Sequence, residues 1–158
     1  MRIRSARPDE HDALGALCVA AYRAEGLGSP RYDLVLRDVA GRAEAAEVLV
    51  AADDAALLGT VTLVLDGGPM REISEGDEGE FRMLAVDPAA QGRGAGAALV
   101  QACAARARDR GLRALVASSQ DRMLRAHALY RRLGFVREPA RDWSPIPGVD
   151  LIVFTLAL

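Results

Sequence analysis

The stretch EFRMLAVDPAAQGRGAGAALV, from Glu80 to Val100, decides how the rest of the chain is interpreted. It begins as a β-strand, turns at Asp87-Pro88, and passes through a glycine-rich segment directly into a helical pattern. Glycines let backbone amides approach an anion without a Cβ atom in the way. The helix that follows adds unpaired N–H groups and the positive end of its dipole, which together suit a pyrophosphate. The segment is therefore a candidate phosphate-binding loop, to which Arg93 can add a charge-assisted contact.

A flexible connection would explain the same glycines, and the pattern alone leaves that alternative open. The segment also differs from the dinucleotide-binding fingerprint, which is G-x-G-x-x-G after the first strand of a βαβ unit. Here Gly92, Gly94 and Gly96 stand at alternate positions, and residue 97 is alanine.

The remaining sequence predicts the order β-α-α-β-β-β-α-β-α-β-β, an α/β or α+β fold in one domain over residues 1–158. Before the quoted stretch we expect a strand over 1–7, a helix from Pro8 to about Gly26, a shorter helix within 32–42, and a hairpin of strands at 48–52 and 57–65. A loop rich in glycine and acid, 66–79, leads into a strand over 80–86. After that strand we expect a helix over 94–110, a strand over 113–119, a helix over 121–133, a strand from 135, a loop around Trp143 and a last strand over 151–158.

Composition excludes several functional classes. The formal net charge is -2 and the basic residues are scattered, which does not favour nucleic-acid binding. All 20 basic residues are arginine. The absence of lysine excludes a Walker A phosphate loop and a Schiff-base lysine.

Cysteine, histidine and apolar residues give a second set of expectations. Cys18 and Cys103 lie in apolar helical patterns and are predicted to be buried structural thiols. Together with His11 and His127 they lack metal-ligand spacing, so no metal is expected. The charged N-terminus is no signal peptide, and no run approaches the ~18 apolar residues of a membrane helix. We therefore expect a cytoplasmic protein without a membrane partner.

Two motifs resemble those of the GNAT superfamily of acyl-CoA-dependent N-acetyltransferases. Gln91-x-x-Gly94-x-Gly96, after a strand ending in residues 84–88, is similar to the family's acyl-CoA-binding motif Q/R-x-x-G-x-G/A. AHALYRRLGF, residues 126–135, is similar to its A-x-x-L-Y-x-x-x-G-F segment. The resemblance implies a mixed central sheet of six to seven strands flanked by about four helices, with a splay between the fourth and fifth strands. A homodimer is compatible with it.

The resemblance also implies roles for particular residues. Backbone groups of Leu84, Ala85 and Val86 would hold the pantetheine arm of acetyl-CoA. The pyrophosphate would be cradled by Gln91, Gly92, Arg93, Gly94, Ala95, Gly96 and Ala97. Tyr130 matches the tyrosine that faces the CoA sulfur, and Glu80 matches a position that carries the general base in several members. One position departs from the pattern, because Met123 stands where many members have an asparagine that holds the pantetheine.

Each candidate residue also has a purely structural interpretation. A carboxylate can take the proton that an amine must lose before it attacks a thioester, and a phenol can assist the departing thiolate. Glu80 is equally interpreted as a solvated carboxylate, Tyr130 as a half-buried helix aromatic, and Trp143 as either a cleft wall or a peripheral core contact. We expect no catalytic role for His127. If the acidic loop from Glu72 to Glu80 borders the cleft, it favours a cationic amine.

The function predicted from the sequence is acetyl transfer from acetyl-CoA to an amine of a small molecule or a protein N-terminus. An acyl-CoA-binding domain without catalysis and an unrelated nucleotide-phosphate binder are the alternatives. The sequence does not identify the acceptor, because fold does not fix function.

Overall fold

The chain folds around one eight-stranded sheet in a computed structural model that describes residues 1–158. The strand order is β1-β2-β3-β4-β5-β8-β6, and β7 also pairs with β8. All pairings are antiparallel except that between β4 and β5. The strands are β1 (Arg2–Ser5), β2 (Glu47–Ala52), β3 (Leu57–Val64), β4 (Glu78–Val86), β5 (Ala114–Gln120), β6 (Val136–Arg137), β7 (Trp143–Ile146) and β8 (Val149–Ala157).

Five helices cover the two faces of this sheet. They are α1 (His11–Ala24), α2 (Pro30–Arg37), α3 (Val39–Ala45), α4 (Ala95–Asp109) and α5 (Leu124–Arg132). A short 3-10 helix, Pro88–Ala90, joins β4 to the phosphate-binding loop. No helix combines the length and the apolar character needed to cross a membrane.

The two faces carry separate apolar cores. On one face, α4 buries Leu99, Cys103 and Ala107 completely. These residues belong to a core of 18 buried residues that also contains Tyr130 and Phe154. On the other face, α1 and α2 cover β4, with Cys18 fully buried in the smaller core. Both cysteines are therefore buried thiols, as predicted.

The order of the predicted elements is confirmed, but the predicted numbers of strands and helices are too low. The helix expected within 32–42 is two helices, because Asp38 ends α2 and its carboxylate accepts the N–H of Gly41 at the start of α3. The loop expected around Trp143 contains strand β7, which pairs with β8. Strand β4 begins at Glu78, two residues earlier than predicted.

Candidate active site

A bulge in β4 shapes the middle of the sheet. Thr60 pairs with Ala85, whereas Thr62, two residues further on, pairs with Arg82, so β4 contains one extra residue. Met83 lies in this bulge with φ at 52°, the only positive φ outside glycine. An unbranched but bulky residue adopts this backbone region at a cost, so the surrounding sheet must hold it there. Because of the bulge, the side chains of Arg82 and Met83 lie on the same face of the sheet, the one that α1 covers, although the two residues are consecutive in sequence.

Strand β4 also leaves part of one edge without a partner strand. The pairing with β5 joins Glu78–Glu80 to Ala114–Val116 and ends there. Both strands nevertheless continue, β4 to Val86 and β5 to Gln120. Those backbone groups of β4 that face β5 beyond Glu80, in the part of the strand that contains Leu84, Ala85 and Val86, are therefore not used by a strand neighbour.

The phosphate-binding loop ends in the first turn of α4. Gly92 and Gly94 have φ values of 80° and 83°, in the left-handed region that favours glycine. Gly94 caps α4, and its carbonyl accepts the N–H of Ala98 at 3.0 Å. The N–H groups of residues 95, 96 and 97 precede this first helical hydrogen bond and have no partner in the helix. Three adjacent donors at a helix N-terminus suit an anion.

The free edge of β4 and the start of α4 open into one cleft of about 690 Å³. This volume is typical of small-molecule sites. Nine of the ten residues that the sequence predicted for the cosubstrate line it: Leu84, Ala85, Val86, Gln91, Gly92, Gly94, Ala95, Gly96 and Ala97. Arg93 is outside the lining, because its guanidinium donates to Asp53 at 2.7 Å on the turn between β2 and β3.

Part of the opposite wall of the cleft was predicted from the sequence, namely the helix that carries Tyr130 and the position of Met123, whereas the contribution of α1 was not. This wall consists of residues from the end of α1, from the segment just before α5, and from α5 itself: Ala21, Tyr22, Glu25, Leu27, Met123, Arg125, Ala126, Ala128, Leu129 and Arg132. Met123, at the position of the absent asparagine, caps α5 without a side-chain hydrogen bond. Long-range packing decides which helix ends face a cleft, so the local patterns carried no signal for the contribution of α1.

Glu80 is fully buried and lies outside this cleft lining. Its Oε2 atom accepts the backbone N–H groups of Glu72, Ile73 and Ser74 at 3.0–3.1 Å and the Ser74 hydroxyl at 3.2 Å. Its Oε1 atom is buried and has no hydrogen-bond partner. The alternative of a solvated carboxylate is therefore wrong: Glu80 is a buried anchor for the acidic loop, and its Oε1 atom has no hydrogen-bond partner.

Arginines neutralise most of the acidic loop, which would favour a cationic acceptor only if it bordered the cleft. Arg82 pairs with Glu72 and donates to the Met70 carbonyl at 2.8 Å. The Glu78 carboxylate, only 3% exposed, pairs with both Arg113 and Arg141 at 2.9 Å. No residue of this loop lines the cleft. The loop therefore gives no direct support for a preference for cationic amines.

Tyr130 is buried at the centre of an aromatic cluster. Its ring centroid lies 5.5 Å from Phe81, 5.7 Å from Phe135 and 5.5 Å from Phe154. Burial raises the pKa of its phenol, and the nearby Glu25 carboxylate raises this pKa further. The phenol is therefore protonated at neutral pH and can donate a hydrogen bond. Tyr130 does not itself line the cleft, although its neighbour Leu129 does.

Two other residues considered in the sequence also lie outside the cleft. His127 is buried against Phe154, and its Nε2 lies 3.0 Å from the Ser119 hydroxyl. Burial lowers its pKa, which favours the neutral ring. Trp143 is half-buried on β7, and its indole N–H has no hydrogen-bond partner. Across the whole chain, no group of three or more His, Cys, Asp or Glu side chains is arranged to hold a metal ion.

Comparisons with known proteins identify the family of the chain. The chain is 36% identical over 132 residues to a mycothiol acetyltransferase from Cellulomonas flavigena. The aligned residues cover 78% of this chain and 38% of that protein. The chain spans about two fifths of the length of the curated mycothiol acetyltransferases it matches. Its fold matches a GNAT-family acetyltransferase from Desulfovibrio desulfuricans with a TM-score of 0.78 at 21% identity, over 99% of this chain and 98% of the other.

A second solved structure contains the expected cosubstrate. It is a GNAT-family acetyltransferase from Brucella melitensis in complex with acetyl-CoA, with a TM-score of 0.67 and 24% identity over 99% of this chain and 87% of the other. The sequence model of the acetyltransferase (GNAT) family matches residues 11–135, which include the bulged strand, the phosphate-binding loop and α5. With most of its length matched and both motifs placed around one cleft, the chain belongs to the GNAT acetyltransferase family.

Proposed function

We propose that this chain transfers the acetyl group of acetyl-CoA directly to an amine of a small molecule or a peptide. The observation that carries the proposal is the single cleft that joins the free N–H groups of α4 to the unpaired edge of β4. The first feature suits a pyrophosphate. The second suits an extended arm that contains amide groups, because it offers backbone donors and acceptors in the spacing of a strand. The acetyl-CoA complex of the Brucella relative supports the same cosubstrate.

The residues present fit this cosubstrate. The N–H groups of Ala95, Gly96 and Ala97 would hold the pyrophosphate, and Leu84 to Val86 would bind the pantetheine arm through their backbone. Acetyl-CoA supplies an acetyl group activated as a thioester. Gly96 leaves little further room at the loop, since a Cβ there would lie 3.3 Å from Leu129 and 3.4 Å from Val86.

Glu80 and Tyr130 are proposed to handle the protons. An amine is protonated at neutral pH and must lose a proton before it attacks. The partner-free Oε1 of Glu80 would accept this proton, directly or through a water molecule. Tyr130, held protonated by burial, would donate a hydrogen bond to the departing sulfur. The hydrogen bonds on Oε2 keep the Glu80 side chain in one orientation for this step.

A binding domain without catalysis is the second candidate. Its support is that neither Glu80 nor Tyr130 lines the cleft and that Met123 replaces a polar residue of the family pattern. Such a domain would bind acetyl-CoA and transfer nothing.

Binding is tested with two glycine variants at opposite ends of α4. Gly94 and Gly111 both have positive φ and open space around a Cβ atom, but only Gly94 lines the cleft. CoA at one hundred times its Kd should stabilise the native protein by about 2.7 kcal/mol. We expect Gly94→Trp to lose this shift in melting temperature and Gly111→Trp to keep it, with similar strain in both. An unchanged shift in Gly94→Trp would remove the loop from the site.

Transfer is tested by following free CoA thiol with a panel of amines. The panel contains cationic and neutral small-molecule amines and peptides with free N-termini. Amine-dependent thiol release supports the transferase. A normal CoA-induced melting shift without release for any amine would favour the binding domain.

A further inference from the structure

The arginine that the sequence predicted for the pyrophosphate is directed elsewhere. Arg93 donates to Asp53, whose other oxygen accepts the backbone N–H groups of Ala55 and Ala56 at 3.0 and 2.9 Å. Asp53 is thus fixed by its own turn, and its carboxylate neutralises the guanidinium. The hydrogen bond from Arg93 also holds the pKa of Asp53 below its ordinary value. The phosphate-binding loop therefore brings no free cation to the cleft.

A different arginine reaches the same loop from across the cleft. Arg125, in the first turn of α5, lines the cleft and donates through Nη1 to Oε1 of Gln91 at 2.5 Å. It forms no ion pair, so its charge is not neutralised within the chain. The charged residues that line the cleft are Glu25, Arg125 and Arg132, and of these only Arg125 forms a side-chain hydrogen bond to the phosphate-binding loop.

The Gln91–Arg125 contact has a consequence for anion binding. The amide oxygen of Gln91 is an acceptor and would repel a phosphate oxygen placed beside it. Bound to Arg125, this oxygen is satisfied, and the guanidinium keeps further N–H donors from its planar set of five. The guanidinium donors form a planar fork, which matches the oxygens of a phosphate better than a point charge does. Gln91 thereby holds Arg125 over the loop instead of competing with the ligand.

We propose that Arg125, oriented by Gln91, is the cation that binds the pyrophosphate of the cosubstrate, in the place first assigned to Arg93. The inference rests on the proposed binding of CoA. It assigns Gln91 a positioning role and Arg125 a direct contact, so that the phosphate is bound between the first turn of α4 and the first turn of α5.

The test compares Arg125→Met with Arg93→Met by calorimetric titration of CoA at physiological ionic strength. Both side chains are exposed, so both variants should fold, which their melting curves check. We expect Arg125→Met to raise the Kd for CoA by about 10- to 100-fold, because losing a hydrogen bond to a charged group typically weakens binding by about one to two powers of ten. Arg93→Met should change the Kd less than about 3-fold. Arg125→Lys should recover only part of the loss, because lysine lacks the fork.

Three ligands and a double variant identify the contact. The effect of Arg125→Met should persist with 3′-dephospho-CoA, which keeps the pyrophosphate, and disappear with pantetheine, which has no phosphate. Gln91→Ala should weaken CoA binding in the native background and add little to Arg125→Met. An effect that disappears with dephospho-CoA, or an equal effect on pantetheine, overturns the pyrophosphate assignment. Normal CoA binding by Arg125→Met also overturns it, whereas a native protein that does not bind CoA instead refutes the proposed function.

Discussion

Variants of Glu80 distinguish its structural role as an anchor of the acidic loop from its proposed role as the general base. The carboxylate binds the acidic loop through Oε2, which accepts four donors, and leaves Oε1 free. Glu80→Ala removes both oxygens and leaves the N–H and hydroxyl of Ser74 buried without an acceptor. Glu80→Gln keeps one acceptor oxygen for these donors and removes the proton acceptor. The glutamine variant is therefore the informative one for catalysis.

The structure sets the size of each effect. A buried donor that loses its partner costs about 1–3 kcal/mol, so Glu80→Ala should lower the free energy of unfolding by about 2–6 kcal/mol through Ser74 alone. That is a large share of the roughly 5–15 kcal/mol expected for a whole domain. Glu80→Gln should cost about 1–2 kcal/mol, since neutral acceptors form weaker hydrogen bonds than charged ones. If Glu80 is the base, the same variant should lower kcat about 10²- to 10⁴-fold at neutral pH.

The assay measures acetyl transfer over a range of pH, with urea unfolding of each variant beside it. The deficit of Glu80→Gln should shrink as pH rises, because more of the acceptor amine is then already neutral. Ser74→Ala is the control: it removes one donor to Oε2 but keeps the carboxylate, so it should lose stability and retain most of the rate. A Glu80→Gln enzyme with native rate and native pH profile would show that Glu80 only anchors the loop.

Two further predictions concern other buried groups. Tyr130→Phe keeps the ring that packs on Phe81 and Phe154, so the melting temperature should change little. Because the hydroxyl is lost, kcat and kcat/KM should fall together by roughly 10- to 1,000-fold. Full activity in this variant would refute the proposed hydrogen bond from Tyr130 to the departing sulfur. The second concerns Glu10, whose pKa is lowered to about 2 by hydrogen bonds from Arg4 and from the Arg7 backbone. Because its folded pKa lies below the ordinary 4.5, Glu10 should stabilise the fold fully above pH 4.5 and lose this contribution as pH falls towards 2. In urea unfolding, the stability difference between the native protein and Glu10→Gln should therefore shrink over that range, and a difference that is constant with pH would contradict the ion-pair origin.

The parts of the site that are contiguous in sequence could be predicted, because their geometry is local. Glycines at 92 and 94 and the helix start after them form a loop whose backbone conformation depends on those residues alone. Strand β4 was also predictable from its apolar run. Its bulge at Met83 was not, because nothing in the side chain of methionine favours a positive φ, and the pairing of β3 on both sides of the bulge forces it.

Side chains that reach across the fold were predicted less well. Arg93 stands inside the phosphate motif, yet the turn at Asp53, 40 residues away in sequence, captures its guanidinium. For Glu80 the sequence left open a general base and a solvated carboxylate at a strand start, and it did not show that Ala114–Val116 and the loop from Glu72 to Ser74 bury this side chain. The sequence contains 20 arginines, and their ion pairs depend on which carboxylate the completed fold brings within reach. Local patterns carry no information on that choice.

Strands β4 and β5 pair only as far as Glu80 and are unpaired beyond it. This fork between the two strands connects the cleft with the position of Glu80, although the carboxylate does not line the cleft. Hydrogen bonding between the two strands ends at Glu80, and the free edge of β4 continues for six residues to Val86, beside the phosphate-binding loop. At about 3.3 Å per residue this edge is roughly 20 Å long. An extended arm anchored at the loop and bound along this edge would have its far end near the point where β5 closes the fork, which is the level of Glu80 and Val116. The reactive end of such a ligand would therefore lie beyond the open part of the cleft. If the arm binds in this way, the free oxygen of the proposed base would be at the level of the reactive end, and shortening the arm should abolish transfer while the phosphate end still binds.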